Sequence, residues 1–470
     1  MNTYSTVTDD ALGTDDVVGL LRRIADREVT AGELTAAAVA RAEDADEHLG
    51  AIASERFADA QRDADVHAGG PFAGVPTMVK DMVDFAGLPT RFGSDAFSNA
   101  APASKHDPLV QQIDDLGMTV IAKTTMPEFG FTPSTEFADG PPTRNPWNLD
   151  RSAGGSSGGS ASMVAAGVVP IAHAADGGGS TRIPAACCGL VGLKPSVGRL
   201  VASKNTAHQV VAVVADGVVT RSVRDTAHYY AHAEQQYLNP KLPPMGLVDR
   251  PIERPLRIAA LDRSPAPGPI DDAVQAAFDD TLQLLEGLGH RVTPIDPPVA
   301  PTFVDDFLTM WQLFGVATAR AGKFVWGPAF ERSQLTDFTE GLAAAFGSQW
   351  HRVPGVVWRL RRTRKELAKR TAGYDLVVSP TVAQLPPALG HLGMDLPYDV
   401  LMTRVMEWAN FTALANAAGT PSISLPLGHD ADTNLPIGIM FGADFGQERM
   451  LLELALQLEL AQPWEQSPCR

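Results

Sequence analysis

Residues 151–195 read RSAGGSSGGSASMVAAGVVPIAHAADGGGSTRIPAACCGLVGLKP, and this stretch decides how the rest of the chain is read. Two serine-bearing glycine clusters, GGSSGGS and DGGGS, bracket a short apolar segment. Ser156 and Ser180 stand 24 residues apart (180 − 156). Glycine this dense is costly in backbone entropy. A folded chain keeps it where the backbone must turn tightly, take a positive φ or approach a ligand. Two such loops suggest a place where main-chain N–H groups and hydroxyls converge.

The flanking sequence alternates helix and buried strand. Thr14 is placed to cap a helix through Val17, Leu20, Leu21 and Ile24. Thr30 with Glu33 forms a capping box before Leu34, Ala37, Ala38 and Ala42. Residues 72–83 (FAGVPTMVKDMV) are apolar and β-branched around a single lysine. Residues 114–123 read as a helix end, a turn and a buried strand, and 163–173 as helix then strand. Strands are expected at 256–261, 290–295, 376–380, 422–427 and 437–441. Helices are expected at about 271–288, stopped by Gly289, at 403–418, ended by Gly419, and at about 447–460. Residues 301–370 look helical but irregular. This alternation predicts an α/β fold. The proline-rich residues 240–255 are read as a surface crossing inside one large domain.

Composition narrows the class. At 470 residues, with 44% hydrophobic and 20% charged residues, the chain is globular. A net charge of −17 argues against a nucleic-acid or anionic-membrane partner. Three cysteines, of which Cys187 and Cys188 are adjacent, make no disulfide framework and no zinc spacing. The start, MNTYSTVTDDALGTDD, is polar and acidic and unlike a signal peptide. A cytoplasmic protein without metal or cofactor is expected.

Serine needs a base to become a nucleophile. His173 and His208 lie nearby in sequence without a paired acid, and His173 sits in an apolar run that suits a core histidine. A lysine can serve if burial holds it neutral. Lys80, set among Val75, Met78, Val79, Met82 and Val83, suits this. Its structural alternative is an ion pair with Asp81 or Asp84, and Lys123 and Lys194 are rivals. For Ser180, three preceding glycines can aim successive N–H groups at one point; the alternative is a solvated loop serine. Gly154-x-Ser156-x-Gly158 matches a nucleophile elbow in outline, but that turn needs a strand before it and residues 145–154 read as a loop. Neither glycine cluster ends in the Gly-Lys-Ser/Thr of a P-loop.

Four blocks together resemble the amidase signature family: 72–83, AKTTMPEFG at 122–130, TRNPWNLDRSAGGSSGGSASMVAAG at 143–167, and DGGGSTRIPAACCGLVGLKPSVGR at 176–199. A fifth, NFTALANAAGTPSISLPLG from Asn410, is similar too. The resemblance spans nearly the whole chain. It implies a single domain over 1–470 with a large mixed sheet covered on both faces by helices. Within it, 1–63 would be a helical N-terminal part, 64–215 the signature core, and 256–470 the remaining sheet and pocket helices. It implies that Ser180 attacks an amide carbonyl, that Ser156 relays the proton after a cis peptide bond at Gly155, and that Lys80 is the base. The N–H groups of Gly177, Gly178, Gly179 and Ser180 would form the oxyanion hole. Ser157, Asp176 and Arg182 would support the relay and the loop, with a surface ion pair as the plain alternative for Arg182.

Two departures stand out. The family's Thr-Asp-Thr-Gly-Gly-Ser is here Ala175-Asp176-Gly177-Gly178-Gly179-Ser180, which removes a hydroxyl at 175 and leaves residue 177 without a side chain. The glycine either loosens the oxyanion loop or widens the acyl pocket. The run VVPIAHAADGGGSTRIPA is most similar to the branch containing 6-aminohexanoate cyclic-dimer hydrolases and general amidases. The expected partner is a small-molecule amide, linear or cyclic with an apolar acyl part, and a homodimer is an open option. The pocket is expected to draw on Phe129, Phe131 and Thr132, on residues 301–350, and on Met406, Trp408 and Phe411. Two other functions fit the same motifs: the amidase subunit of a tRNA-dependent amidotransferase, and a binding protein with a decayed site.

Overall fold

The computed structural model describes residues 2–64, 69–207, 209–266 and 268–468. His208 and Cys469 lie outside them. The chain begins with α1 (Val17–Ala25) and α2 (Ala31–Leu49). Asp16, not Thr14, caps α1, its carboxylate accepting the Gly19 N–H at 3.0 Å. A carboxylate complements the positive helix end better than a hydroxyl does, and Arg224 and Ser222 hold it there. The Thr30–Glu33 capping box on α2 is present.

Strands and helices then alternate. β1 (Ile52–Glu55), α3 (Phe57–Asp63), β2 (Pro76–Lys80), α4 (Pro108–Asp115) and β3 (Thr119–Thr124) come first. A separate two-stranded ribbon follows, β4 (Arg144–Asn145) with β5 (Asn148–Ser152). Next come α5 (Gly158–Ala165), β6 (Ile171–Asp176), α6 (Arg182–Cys188), β7 (Val191–Lys194), β8 (Ala215–Thr220) and α7 (Val223–Gln236). Past the proline-rich segment lie β9 (Arg257–Ala260), α8 (Asp272–Gly287) and β10 (Arg291–Pro294). Helices α9 (Phe303–Val325), α10 (Asp337–Phe346) and α11 (Val353–Arg370) make up most of the next seventy residues. The chain closes with β11 (Leu376–Pro380), α12 (Tyr398–Trp408), α13 (Ala413–Ala418), β12 (Ser422–Asp430), β13 (Leu435–Ala443) and α14 (Glu448–Ala461).

Among the described residues eleven strands form one mixed sheet in the order β1-β3-β2-β6-β8-β7-β12-β13-β11-β9-β10. β2 runs parallel to both β3 and β6, whereas β8 is antiparallel to β6. Alternate residues of the central strands bury on opposite faces. Val79, Ile171 and Val218 join a core cluster with α4, α7, α8 and α14. Met78, Ala172 and Val219 join the other, with α2, α5, α6, α10 and α12. Helices therefore cover both faces. The crossing at 240–255 is not purely superficial: Met245, Val248 and Ile252 are buried in the first cluster. Strands from both sides of it enter the same sheet.

One expected helix is two. Residues 403–418 break between α12 and α13, where Ala409 leaves helical geometry (φ −101°, ψ 58°). Gly419 does end α13 in the left-handed region (φ 68°).

Candidate active site

Lys80 ends β2, on the same sheet face as Met78. It is 1% exposed. The alternative ion pairs are taken elsewhere: Asp81 lies 2.6 Å from Lys123 Nζ, and Asp84 pairs with Lys204. Among the described residues no carboxylate forms an ion pair with Lys80. Its Nζ instead lies 2.7 Å from Ser156 Oγ and 3.0 Å from Ser157 Oγ. Burial holds its pKa down to about 7, with Asp176 and Asp216 pulling partly the other way. Of the three candidate lysines, Lys80 is the one that meets these serines. Lys123 donates to Pro89 O and Thr90 Oγ1, and Lys194 to Pro195 O. His173 is the expected core histidine. Its Nδ1 accepts the Lys80 N–H at 3.3 Å, and its Nε2 lies 3.4 Å from Asp216 Oδ1.

Ser156 is 3% exposed and follows a cis peptide bond from Gly155. The residues before it are not a loop: β5 precedes it and α5 follows. That strand belongs to the small ribbon rather than the main sheet, because the RNPWNLDRS stretch folds back on itself. Gly130 makes room for Ser156. Its φ is +69°, and a Cβ there would stand 2.9 Å from Ser156 Oγ. Ser157 Oγ also meets the main chain of Ala175, accepting its N–H at 3.3 Å. The Ser157 N–H in turn donates to Ser180 O at 3.3 Å, tying the two serine loops together.

Ser180 is 8% exposed, not a solvated loop serine. Its loop is organised by Asp176, at the end of β6. That carboxylate accepts N–H groups from Gly179 (2.8 Å) and Thr181 (3.2 Å), and Nε and Nη2 of Arg182 at 2.9 Å each. Burial opposes its charge, but Arg182, Lys194 and Asn416 together outweigh burial and hold the carboxyl well below the usual carboxylate range. Arg182 is 0% exposed, so the surface ion pair is excluded. One expectation changes: the Gly179 N–H is bound to Asp176 and is not free for an oxyanion. The donors left on the loop are Gly177, Gly178 and Ser180. Gly179 must be glycine, with φ +137° and Thr412 Oγ1 2.4 Å from its Cβ position.

Residues that the sequence reading did not single out complete the site. Thr412 donates to Gly178 O. Asn416 donates to Asp176 Oδ1 at 2.8 Å and accepts from Arg182 Nη2 at 2.6 Å. The only signal for them was the block from Asn410, which carries the resemblance without pointing to a residue. The break before α13 is what brings Thr412 to the loop.

Beside Ser180 lies a cavity of about 780 Å³, open mouth included. Phe131, Phe307, Trp311, Met402, Val405 and Met406 form much of its wall. Phe307 and Trp311 stack with ring centroids 6.0 Å apart, and Trp311 Nε1 donates to Phe131 O at 3.1 Å. Three expected wall residues point elsewhere. Phe129 packs with Phe92, Phe97, Trp326 and Phe330. Trp408 is buried and donates to Gln384 O, and Phe411 faces a different cavity. Gly177 does not simply widen the pocket: a Cβ there would meet Val214 at 3.1 Å and Trp311 at 3.7 Å. Among the described residues no helix is long and apolar enough to cross a membrane.

The Amidase family profile matches residues 33–452. A Mycobacterium leprae protein named "Putative amidase AmiC" is 45% identical over 459 residues, 97% of each chain. The 6-aminohexanoate-cyclic-dimer hydrolase of Paenarthrobacter ureafaciens is 32% identical, covering 93% of this chain and 92% of its own. A solved structure of 6-aminohexanoate cyclic dimer hydrolase complexed with substrate superposes with a TM-score of 0.85 at 28% identity, covering 96% of this chain and 98% of that one. The chain belongs to the amidase family and is an amide-hydrolysing enzyme.

Proposed function

We propose that the chain hydrolyses a non-peptide carboxylic amide through an acyl-enzyme on Ser180. Neutral Lys80 takes the Ser156 proton as Ser156 takes the Ser180 proton. Ser180 Oγ then bonds to the amide carbon. The negative charge that develops on the carbonyl oxygen is met by main-chain N–H groups of Gly177, Gly178 and Ser180. The proton held on Lys80 returns through Ser156 to the nitrogen as the C–N bond breaks and the amine leaves. Water adds to the acyl carbon, giving its proton along the same chain. The acid departs, and Ser180 and neutral Lys80 are restored.

The observation that carries this reading is the 2.7 Å contact between a buried lysine with pKa near 7 and Ser156 Oγ. A base is most useful when its pKa lies near the working pH. Ser156 gives direction: lysine's flexible stem alone aims poorly at a serine on another loop. Asp176, Arg182, Asn416 and Thr412 hold that loop in place. The apolar cavity favours an aliphatic, aromatic or cyclic amide, and the name of the relative acting on a cyclic dimer agrees with this. Peptide mapping after treatment with a small phosphonyl fluoride tests the reading. A single adduct on Ser180, lost in Lys80→Ala, is expected. An adduct on Ser156, or none on the folded protein, overturns it.

A further inference from the structure

A second cavity, of about 880 Å³ with its mouth, lies on the other side of α13. None of its lining residues lines the pocket beside Ser180. Its floor is the sheet. Val377, Gly442 and Ser422 pair across β11, β13 and β12 in one row, and Met440 stands in the next row on the same face. Its roof is the last turns of α11 together with Leu414 and Ala415 of α13.

Three features suit this cavity to a ligand. Gly442 leaves the floor open: a Cβ there would meet only Ser422 Oγ at 3.9 Å and Pro421 O at 4.0 Å. Ser422 is 1% exposed, and among the described residues its Oγ has no hydrogen-bond partner. A buried hydroxyl without a partner is costly, so it favours a bound group that supplies one. Two other hydroxyls in the wall are already used: Ser379 donates to Pro380 O, and Thr371 to Leu367 O. The charges at the mouth are also balanced. Asp375 pairs with Arg254 and Arg257, and Asp444 faces Arg364. Much of the remaining wall is apolar, with Val377, Phe411, Leu414 and Met440.

We infer that this cavity is a second binding site, for a small neutral molecule that is mostly apolar and carries one hydroxyl or carbonyl oxygen for Ser422. Its occupancy is felt at the Ser180 loop. Met440, in the floor, places its Sδ 3.2 Å from Arg182 Nη1. Leu414 and Ala415 sit between Thr412, which holds Gly178 O, and Asn416, which holds Asp176. A ligand pressing on α13 therefore presses on both anchors. The binding half stands apart from the catalytic reading; the coupling half rests on it.

Fluorine NMR with 4-fluorobenzyl alcohol as the probe tests both halves on the full chain. Gly442→Leu fills the floor without touching the Ser180 pocket and should abolish the binding component seen in the unmodified protein. Ser422→Ala should weaken that component about fivefold, the worth of one hydrogen bond, while leaving 4-fluorotoluene unaffected. Thermal melts of both variants report folding. Probe binding unchanged in folded Gly442→Leu, or equal affinity for the alcohol and the toluene, overturns the site. Coupling predicts that the probe alters amide hydrolysis in the unmodified protein more than in Gly442→Leu. Equal effects overturn the coupling while leaving the binding result to stand on the NMR, and Ser180 labelling by the phosphonyl fluoride reports separately on the catalytic reading.

Discussion

Lys80 and Ser156 can be tested by pH and by crowding. Lys80 is useful only when neutral, and burial sets its pKa near 7. The logarithm of kcat/KM should therefore rise with unit slope below about pH 7 and level off above it. Lys80→Ala should lower kcat by about 10²- to 10⁴-fold, the usual worth of a positioned proton acceptor. A flat profile through pH 6–8 would remove Lys80 from the role. Gly130 is a second residue-scale test. Alanine there forces a Cβ to within 2.9 Å of Ser156 Oγ at a positive φ. Gly130→Ala should lower kcat at least tenfold by moving Ser156, while costing only about 1–2 kcal/mol of stability. Chemical denaturation beside steady-state kinetics separates the two effects. The serines and Lys80 were legible because their types are unusual where they stand: glycine-dense loops and a lysine in an apolar strand. Gly130 was not, because its importance lies in a neighbour 26 residues away in sequence (156 − 130).

The most informative element is α13, only six residues long. Alone it would have no stability. It is fixed by what its ends grip: Thr412 on Gly178, and Asn416 on Asp176 and Arg182. Asn416→Ala removes bonds to Asp176 Oδ1, Asp176 O and Val213 O, together with the acceptor for Arg182. The groups left are buried and unsatisfied, at about 1–3 kcal/mol each. The melting temperature should fall by several degrees, and kcat should fall more than KM rises, because the loop and not the acyl pocket is disturbed. Unchanged kcat in a destabilised variant would confine Asn416 to folding. Most strands and helices were readable from apolar periodicity and from stops such as Gly289 and Gly419. The break between α12 and α13 was not. Residues 403–418 carry neither proline nor glycine, and the turn is imposed by tertiary contacts that outweigh local helix propensity. The same holds for β4 and β5, a ribbon set apart from the main sheet whose Arg151 bridges to Ala388, far away in sequence.

At the scale of the molecule, periodicity says that strands are buried but not which strand lies beside which. The path that brings β7 between β8 and β12 is set by packing far apart in sequence. It places a third buried lysine in addition to Lys80 and Lys123: Lys194, deep in the protein at the end of β7. It is 0% exposed, and its Nζ donates to Pro195 O. Burial, helped by Arg182, lowers its pKa from 10.5 to about 7. The linkage has a definite sign. Between about pH 7 and 10 the unfolded chain keeps this lysine protonated while the folded chain releases the proton. Raising the pH through that window therefore favours the folded state, by up to about 1.4 kcal/mol per pH unit from this group. Other groups complicate the total. Asp225, raised to about 8 chiefly by burial, works against folding as pH rises toward that value, and the buried thiols of Cys187 and Cys188 do so from about pH 9. A difference measurement cancels them. Lys194→Met keeps the apolar stem and discards the amine. At pH 7 the variant should be as stable as the unmodified chain or more so, because a buried amine with one hydrogen bond gives back little of its desolvation cost. Between pH 7 and 9 the unmodified chain should gain on it steadily in urea denaturation. A stability difference that stays constant across that range would mean that Lys194 remains charged in the fold, held by Asp176 and Glu448 more strongly than burial opposes.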